Sequence, residues 1–266
     1  DVSFDYAGLN HLGWLRSLSV GGRDVLPRLF ANEAALGSME ESRAIGTDWI
    51  RTLGALPNEY LFYYYCHREA MARIHQDQTR GEYLRDQQEA FYNAVLSDPE
   101  QAGRTWTDAL ADREATYMAE ARDVDERSGR RAEDIAGGGY QKVALDLMNA
   151  LATNTPARMI LNVGNGDGGF SSIPTLRDTD VVEVPCDVDA SGVHPIPVAP
   201  LSGAALGLVQ SVKACENLVI DAARERDRSL AWQALALHPL VDSVNVARDV
   251  LDQAIRTNPL VAAAFD

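Results

Sequence analysis

Near residue 157 the hydrophobic period of the chain changes, and a fold has to satisfy both sides of that change. Upstream, apolar residues recur every three to four positions. Leu36, Met39, Ile45, Trp49 and Leu53 fall near one face of a helix, as do Val143, Leu147 and Leu151 in the stretch Tyr140 to Ala152. From Arg158 to Val163 and from Thr179 to Val184 the sequence instead shows β-branched runs bounded by Gly and Pro, which predict strands. Beyond them the helical period returns. Leu201, Ala205, Leu208, Val212, Cys215, Val219 and Ala222 are spaced alternately by four and three. That seam suits either a long core helix or a helix at a subunit interface. A chain of this kind is neither all-α nor all-β.

The remaining segments agree. Residues 1–27 read as β structure with turns: Leu12, Trp14, Leu18 and Val20 share one parity, and Gly21-Gly22 supplies a turn. Further helices are predicted over Asn32–Leu53, Tyr60–Ile74, Glu82–Leu96, Ala231–Leu237 and Val241–Ile255, and Asp98-Pro99 restarts the chain. The charge-dense stretch 104–134 reads as a solvated helical face broken by Gly137-Gly138-Gly139. Three prolines keep His194–Pro200 extended. The expected class is helix-rich α+β, in one domain.

Charge excludes some functions. Lys and Arg total 24 against 39 Asp and Glu, a net charge of −15, so the surface repels nucleic-acid backbones and anionic lipid. No run of 18 apolar residues is present, so no membrane-spanning helix is expected. Cys66, Cys186 and Cys215 have no framework spacing, which points to a reducing, cytoplasmic setting. The opening Asp1-Val-Ser-Phe lacks an initiator Met and a leader, so a piece of a larger protein is expected.

One motif is a decoy. Gly164-Asn-Gly166-Asp-Gly-Gly169 follows a predicted strand and fits G-x-G-x-x-G, with Glu183 about 20 residues on. A dinucleotide site needs a helix N-terminus next, to set N–H groups against the pyrophosphate. Here Phe170-Ser-Ser-Ile-Pro174 follows, so a loop between strands is expected. His11, His67, His75, His194 and His238 are scattered without metal-ligand spacing.

Four segments carry a resemblance. They are Gly8-Leu-Asn10-His11-Leu-Gly-Trp14; Pro57-Asn58-Glu-Tyr60-Leu-Phe-Tyr63-Tyr64-Tyr65; Gly138-Gly-Tyr140 with Asn149-Ala150-Leu151 and Leu161-Asn162-Val-Gly-Asn165; and Val182-Glu183-Val184-Pro185-Cys186 with Pro195-Ile-Pro-Val. In this order they resemble the C-terminal part of glycoside hydrolase family 4, nearest its 6-phospho-β-glucosidase branch, from near residue 1 to about residue 250. The resemblance implies that residues 1–266 form a substrate, metal and oligomerisation domain like the C-terminal domain of lactate and malate dehydrogenases. The N-terminal NAD-binding domain and the family's cysteine metal ligand would lie outside it.

The implied reaction is an NAD- and Mn²⁺-dependent exception to two-carboxylate glycoside hydrolysis. Hydride leaves C3, a tyrosinate removes the C2 proton, the aglycone is eliminated, water adds and the hydride returns. Residue by residue, the family motifs imply His11 as a metal ligand, Asn10 beside the sugar hydroxyls and Tyr63 as the base. Tyr60, Tyr64 and Tyr65 are the alternatives to Tyr63. Arg80, in Thr79-Arg80, would hold the 6-phosphate, as a guanidinium fork suits. Asn58 stands where some α-specific relatives carry an acid. The implied partners are a phosphorylated disaccharide or aryl glycoside and further copies of the chain, as a dimer or tetramer. The isolated chain is expected to be inactive. The alternatives are a non-catalytic sugar-phosphate-binding or oligomerisation module, and a related family 4 α-glycosidase.

Overall fold

A computed structural model describes residues 2–75, 78–122 and 139–265. The chain divides into two compact units. The first takes residues 1–2 and Arg16–Thr155; the second joins Ser3–Leu15 to Pro156–Asp266. The chain opens with β1 (Val2–Leu9) and β2 (Leu12–Val20), and β2 runs from the second unit into the first.

In the first unit the end of β2 pairs antiparallel with β3 (Arg23–Asp24) across Gly21-Gly22, with Ser19 opposite Asp24. Helices then dominate: α1 (Leu26–Ala31), α2 (Glu33–Ser38), α3 (Glu40–Ile45) and α4 (Thr47–Leu53). The single helix expected over Asn32–Leu53 is therefore three. Asn32 Oδ1 accepts from Ala35 N at 3.1 Å and caps α2. Met39 is extended (ψ 143°), and Gly46, at φ +99°, breaks the chain again. Each piece buries its own apolar residues, among them Leu36, Ile45 and Ile50, whereas Trp49 from the expected face is exposed.

After β4 (Leu56–Pro57) come α5 (Phe62–Tyr65) and α6 (His67–Ile74), separated at Cys66. Two longer helices, α7 (Arg80–Ser97) and α8 (Ala102–Ala115), form a hairpin in which neither helix buries a residue. α9 (Gly139–Thr153) closes the unit. The later part of the charge-dense stretch, and Gly137-Gly138, lie outside the described residues.

The second unit is built on an antiparallel sheet. The start of β2, then β1, β6 (Val181–Asp189) and β5 (Ala157–Gly164) lie side by side in that order. β5 and β6 pair along their whole length, from Ala157 opposite Val188 to Gly164 opposite Val181. β7 (Gly192–Pro195) pairs with the far end of β6. Period-two alternation sends Val182, Val184, Cys186 and Val188 to one buried face. Burial, and secondarily Asp187, pushes the Cys186 thiol up to about 11. All three cysteines are free thiols.

The unit ends in α10 (Gly203–Glu225), α11 (Arg228–Leu237), α12 (Val244–Thr257) and α13 (Pro259–Phe265). Ala222, Ala231 and Leu251 make a core with Leu230, Trp232, Leu235, Ile255 and Phe265 packed on it. Of the predicted seam along and just before α10, Leu201, Val212, Cys215 and Ala222 are buried. Val219, at 53% exposure, is not, and Val209 and Lys213 join the buried stripe instead. A helix of 3.6 residues per turn drifts off a strict seven-residue repeat, which accounts for the exchange. Helix-rich α+β is the observed class. Among the described residues no helix is long and apolar enough to cross a membrane.

Candidate functional site

The residues singled out by sequence fall into both units. Asn10 and His11 belong to the second, and Tyr63 and Arg80 to the first. Each group is described within its own unit.

Asn10 and His11 are the two-residue connection between β1 and β2. His11 has φ +61°, in the left-handed region that non-glycine residues seldom enter. Beside this turn the two strands meet unusually closely. A Cβ at Gly8 would overlap the backbone of Leu12 and Gly13, and a Cβ at Gly13 would overlap the Tyr6 hydroxyl. With Gly13 in place, Tyr6 lies flat against β2, and its hydroxyl donates to Glu183 Oε2 at 2.6 Å.

Glu183 stands opposite Gly8 on one side and Asn162 on the other, so both side chains share a face of the sheet at the level of Gly8. Asn162 Nδ2 in turn donates to Asn10 Oδ1 at 3.4 Å. The turn that carries the half-buried His11 also carries Asn10, whose amide is joined to Asn162 on the sheet, and such amides bind sugar hydroxyls. Sequence reasoning places Asn162 and Glu183 in family motifs, and Glu183 otherwise only at the spacing of a ribose-binding acid in the glycine decoy. The signal that joins them is strand register, which single-sequence reading does not resolve.

Tyr63 lies on α5. Asn58 Oδ1 accepts from Tyr60 N at 3.0 Å and starts the helical turn Glu59–Leu61 that leads into it. The aromatic run then fans out. Phe62 is buried in the core, and its ring centroid lies 5.5 Å from that of Tyr63. Tyr65 packs edge-on against Trp49 at 5.6 Å. Tyr60 lies 6.2 Å from Tyr63 on one side, and its hydroxyl is 2.8 Å from that of Tyr117 on the other. Of these, Tyr65 is the one committed to a structural pairing with Trp49.

Arg80 is the first residue of α7, behind a capping box. Thr79 Oγ1 accepts from Glu82 N at 3.3 Å, and Glu82 Oε2 accepts from Thr79 N at 3.0 Å. The Thr79 hydroxyl and backbone hold the Glu82 carboxyl below its usual range. The Arg80 guanidinium reaches the C-terminal end of α8. Nη1 donates to Thr116 Oγ1 at 2.7 Å and to Thr116 O at 3.3 Å, and Nη2 donates to Arg113 O at 3.1 Å. Its carbon also lies 5.3 Å from the Tyr83 ring centroid. Arginine at this place satisfies carbonyls that a helix end leaves without partners.

The Gly164–Gly169 loop does not fit a dinucleotide. The segment after Gly169 forms no helix, and the loop folds around Asn165. Asn165 Nδ2 donates to Ile173 O (3.1 Å), Leu176 O (3.4 Å) and Arg177 O (3.2 Å), and its Oδ1 accepts from Ile173 N at 2.8 Å. For a divalent metal the fit is partial. His11 offers one nitrogen, but among the described residues no group of three or more His, Cys, Asp or Glu is placed to hold a metal.

Comparison with known proteins identifies the family. The sequence model described as "Family 4 glycosyl hydrolase C-terminal domain" matches residues 6–241. A maltose-6'-phosphate glucosidase of Bacillus subtilis is 28% identical, over 97% of this chain and 54% of its own length. The 6-phospho-beta-glucosidase BglT of Thermotoga maritima is 27% identical, over 97% and 55%. A solved structure of the 6-phospho-beta glucosidase from Thermotoga maritima with manganese, NAD⁺ and glucose-6-phosphate superposes with a TM-score of 0.67 at 26% identity. It covers 98% of this chain and 54% of its own. The chain spans about half the length of the curated relatives it matches. Maltose is α-linked, so these relatives include both anomeric types.

Proposed function

Because the chain belongs to the family 4 glycosyl hydrolases, matching their C-terminal domain, we propose that it is the substrate and metal portion of a 6-phospho-glucosidase working with NAD and Mn²⁺. The observation that carries this reading is His11, held left-handed on a turn whose close strand contact requires two glycines. Strain of this kind is kept where a side chain must be aimed.

In this reading His11 is a metal ligand, and Asn10, supported by Asn162, meets the sugar hydroxyls. Tyr63 takes the proton from C2, and Arg80 faces the 6-phosphate. When bound, NAD⁺ would accept the C3 hydride and Mn²⁺ would draw charge from the oxygens at C2 and C3. A phenol near pKa 10 gives up its proton near neutrality only beside positive charge, so Tyr63 needs a cation to act as the base. The bonds from Arg80 to the end of α8 favour a second reading for that residue alone, in which it fixes the α7–α8 hairpin and serves the phosphate indirectly.

The β-glucoside branch is the preferred specificity. The substrate is a phosphorylated disaccharide or aryl glycoside, and the assembled enzyme is a cytoplasmic homo-oligomer. Residues 1–266 are read as one functional portion that is inactive without the NAD-binding part. The test is hydrolysis of p-nitrophenyl 6-phospho-α- and β-glucosides by the natural gene product. We expect turnover that needs both NAD⁺ and Mn²⁺ and favours the β anomer. His11→Ala and Tyr63→Phe should each reduce it roughly 100-fold or more. Turnover without NAD⁺ overturns the mechanism. Undiminished turnover in either variant overturns that residue's role.

A further inference from the structure

Lys213 lies in the middle of α10, on the stripe that also buries Val209, Val212 and Cys215. Its side chain is 8% exposed. Lysine is almost never buried to this degree without full pairing. The ammonium has three N–H donors, yet a single acceptor meets it, the Glu216 carboxylate one turn along the same helix. Two donors of a buried cation are therefore left over among the described residues. An apolar side chain of similar volume would serve the stripe at least as well, so the cation calls for a partner.

The surroundings identify that partner's chemistry. Lys213 lines a pocket of about 220 Å³ together with Thr175, Arg177, Gln210 and Asn217. Asp180 also lines it, but both its oxygens are already engaged: Oδ1 accepts from Asn217 Nδ2 at 3.1 Å, and Oδ2 from Arg177 N at 3.0 Å. The Arg177 side chain is exposed at the rim and has no partner among the described residues. The pocket thus offers a buried ammonium with spare donors, a guanidinium and neutral amides and a hydroxyl. Carboxylate and phosphate oxygens match such a set, and the guanidinium adds a two-pronged fork.

We propose that this pocket binds a small oxyanion, a carboxylate or phosphate group of a metabolite, between Lys213 and Arg177. None of its residues belongs to the site assigned above. The loop that carries Thr175 and Arg177 is pinned by Asn165, so the rim is preorganised and binding has little ordering to do.

The experiment is calorimetric titration of the chain with inorganic phosphate and, separately, with sodium acetate, at fixed ionic strength in chloride. One of the two is expected to bind. Phosphate as the tighter ligand marks a phosphate monoester, and acetate a carboxylate. Lys213→Met should weaken binding at least tenfold, and Arg177→Gln about three- to tenfold. Arg177 is exposed, so its replacement tests the site even if Lys213→Met disturbs the core. Arg80→Ala should leave this binding unchanged, which separates it from any anion held at the catalytic site. Binding that persists in both Lys213→Met and Arg177→Gln overturns the proposal, as does the absence of binding by both anions.

Discussion

His11 shows how much a single residue can be asked to bear. Holding an L-residue left-handed costs on the order of 1 kcal/mol. Glycine has no such penalty but leaves a floppier unfolded chain. His11→Gly is therefore expected to leave thermal stability equal or raised by up to about 1 kcal/mol, although it removes the imidazole. His11→Val should lose about 1–2 kcal/mol more than His11→Gly, because a branched Cβ fits this region worst. Thermal denaturation of the three proteins checks this, and equal stability of the valine and glycine variants would exclude backbone strain at the turn. Little of this was legible in the sequence. The Gly-x-Asn-His pattern marked the place by family resemblance, but the sign of φ and the overlap at Gly13 depend on how two strands meet, which composition does not carry.

Among the elements, the loop between β5 and β6 was the best read and the helices before it the least. The glycine fingerprint reads as a loop because Pro174 and the missing 3.6-residue period rule out the helix it would need. The structure agrees and adds the reason the loop holds its shape, the buried Asn165 amide with its four hydrogen bonds. Asn165→Ala should cost about 2–4 kcal/mol by leaving carbonyls and an N–H buried without partners. Amide exchange should quicken first across residues 165–180, and unchanged protection there would mean the amide is dispensable.

The strand after the loop runs further than expected, through Pro185 to Asp189. A proline usually ends a strand pattern, but Pro185 contributes by accepting from Ile196 N at 2.9 Å. The helix expected over Asn32–Leu53 failed for a different reason. Periodicity is blind to a backbone break that leaves the spacing of apolar residues along the chain unchanged, and Met39 and Gly46 make breaks of that kind. On α10 the period located the buried stripe but could not disclose that a lysine lies within it.

At the scale of the whole chain, charge dominates. A net −15 on 266 residues makes the compact state repel itself. Added salt screens that repulsion over about 10 Å at 0.1 M. Raising sodium chloride from 10 to 300 mM is therefore expected to raise the melting temperature by a few degrees. A melting temperature that falls over this range would mean that attractive surface pairs such as Arg158–Asp187 outweigh the net repulsion.

The second unit is also assembled from the two ends of the sequence, Ser3–Leu15 and Pro156–Asp266. On a ribosome, the hairpin carrying Asn10 and His11 emerges well before β6 and must wait for that strand to be made. At roughly 5–20 residues per second that delay is on the order of ten to thirty seconds. For that interval Leu9, Leu12 and Trp14 are nascent apolar residues without a sheet, and a chaperone that grips early hydrophobic segments would find its target there.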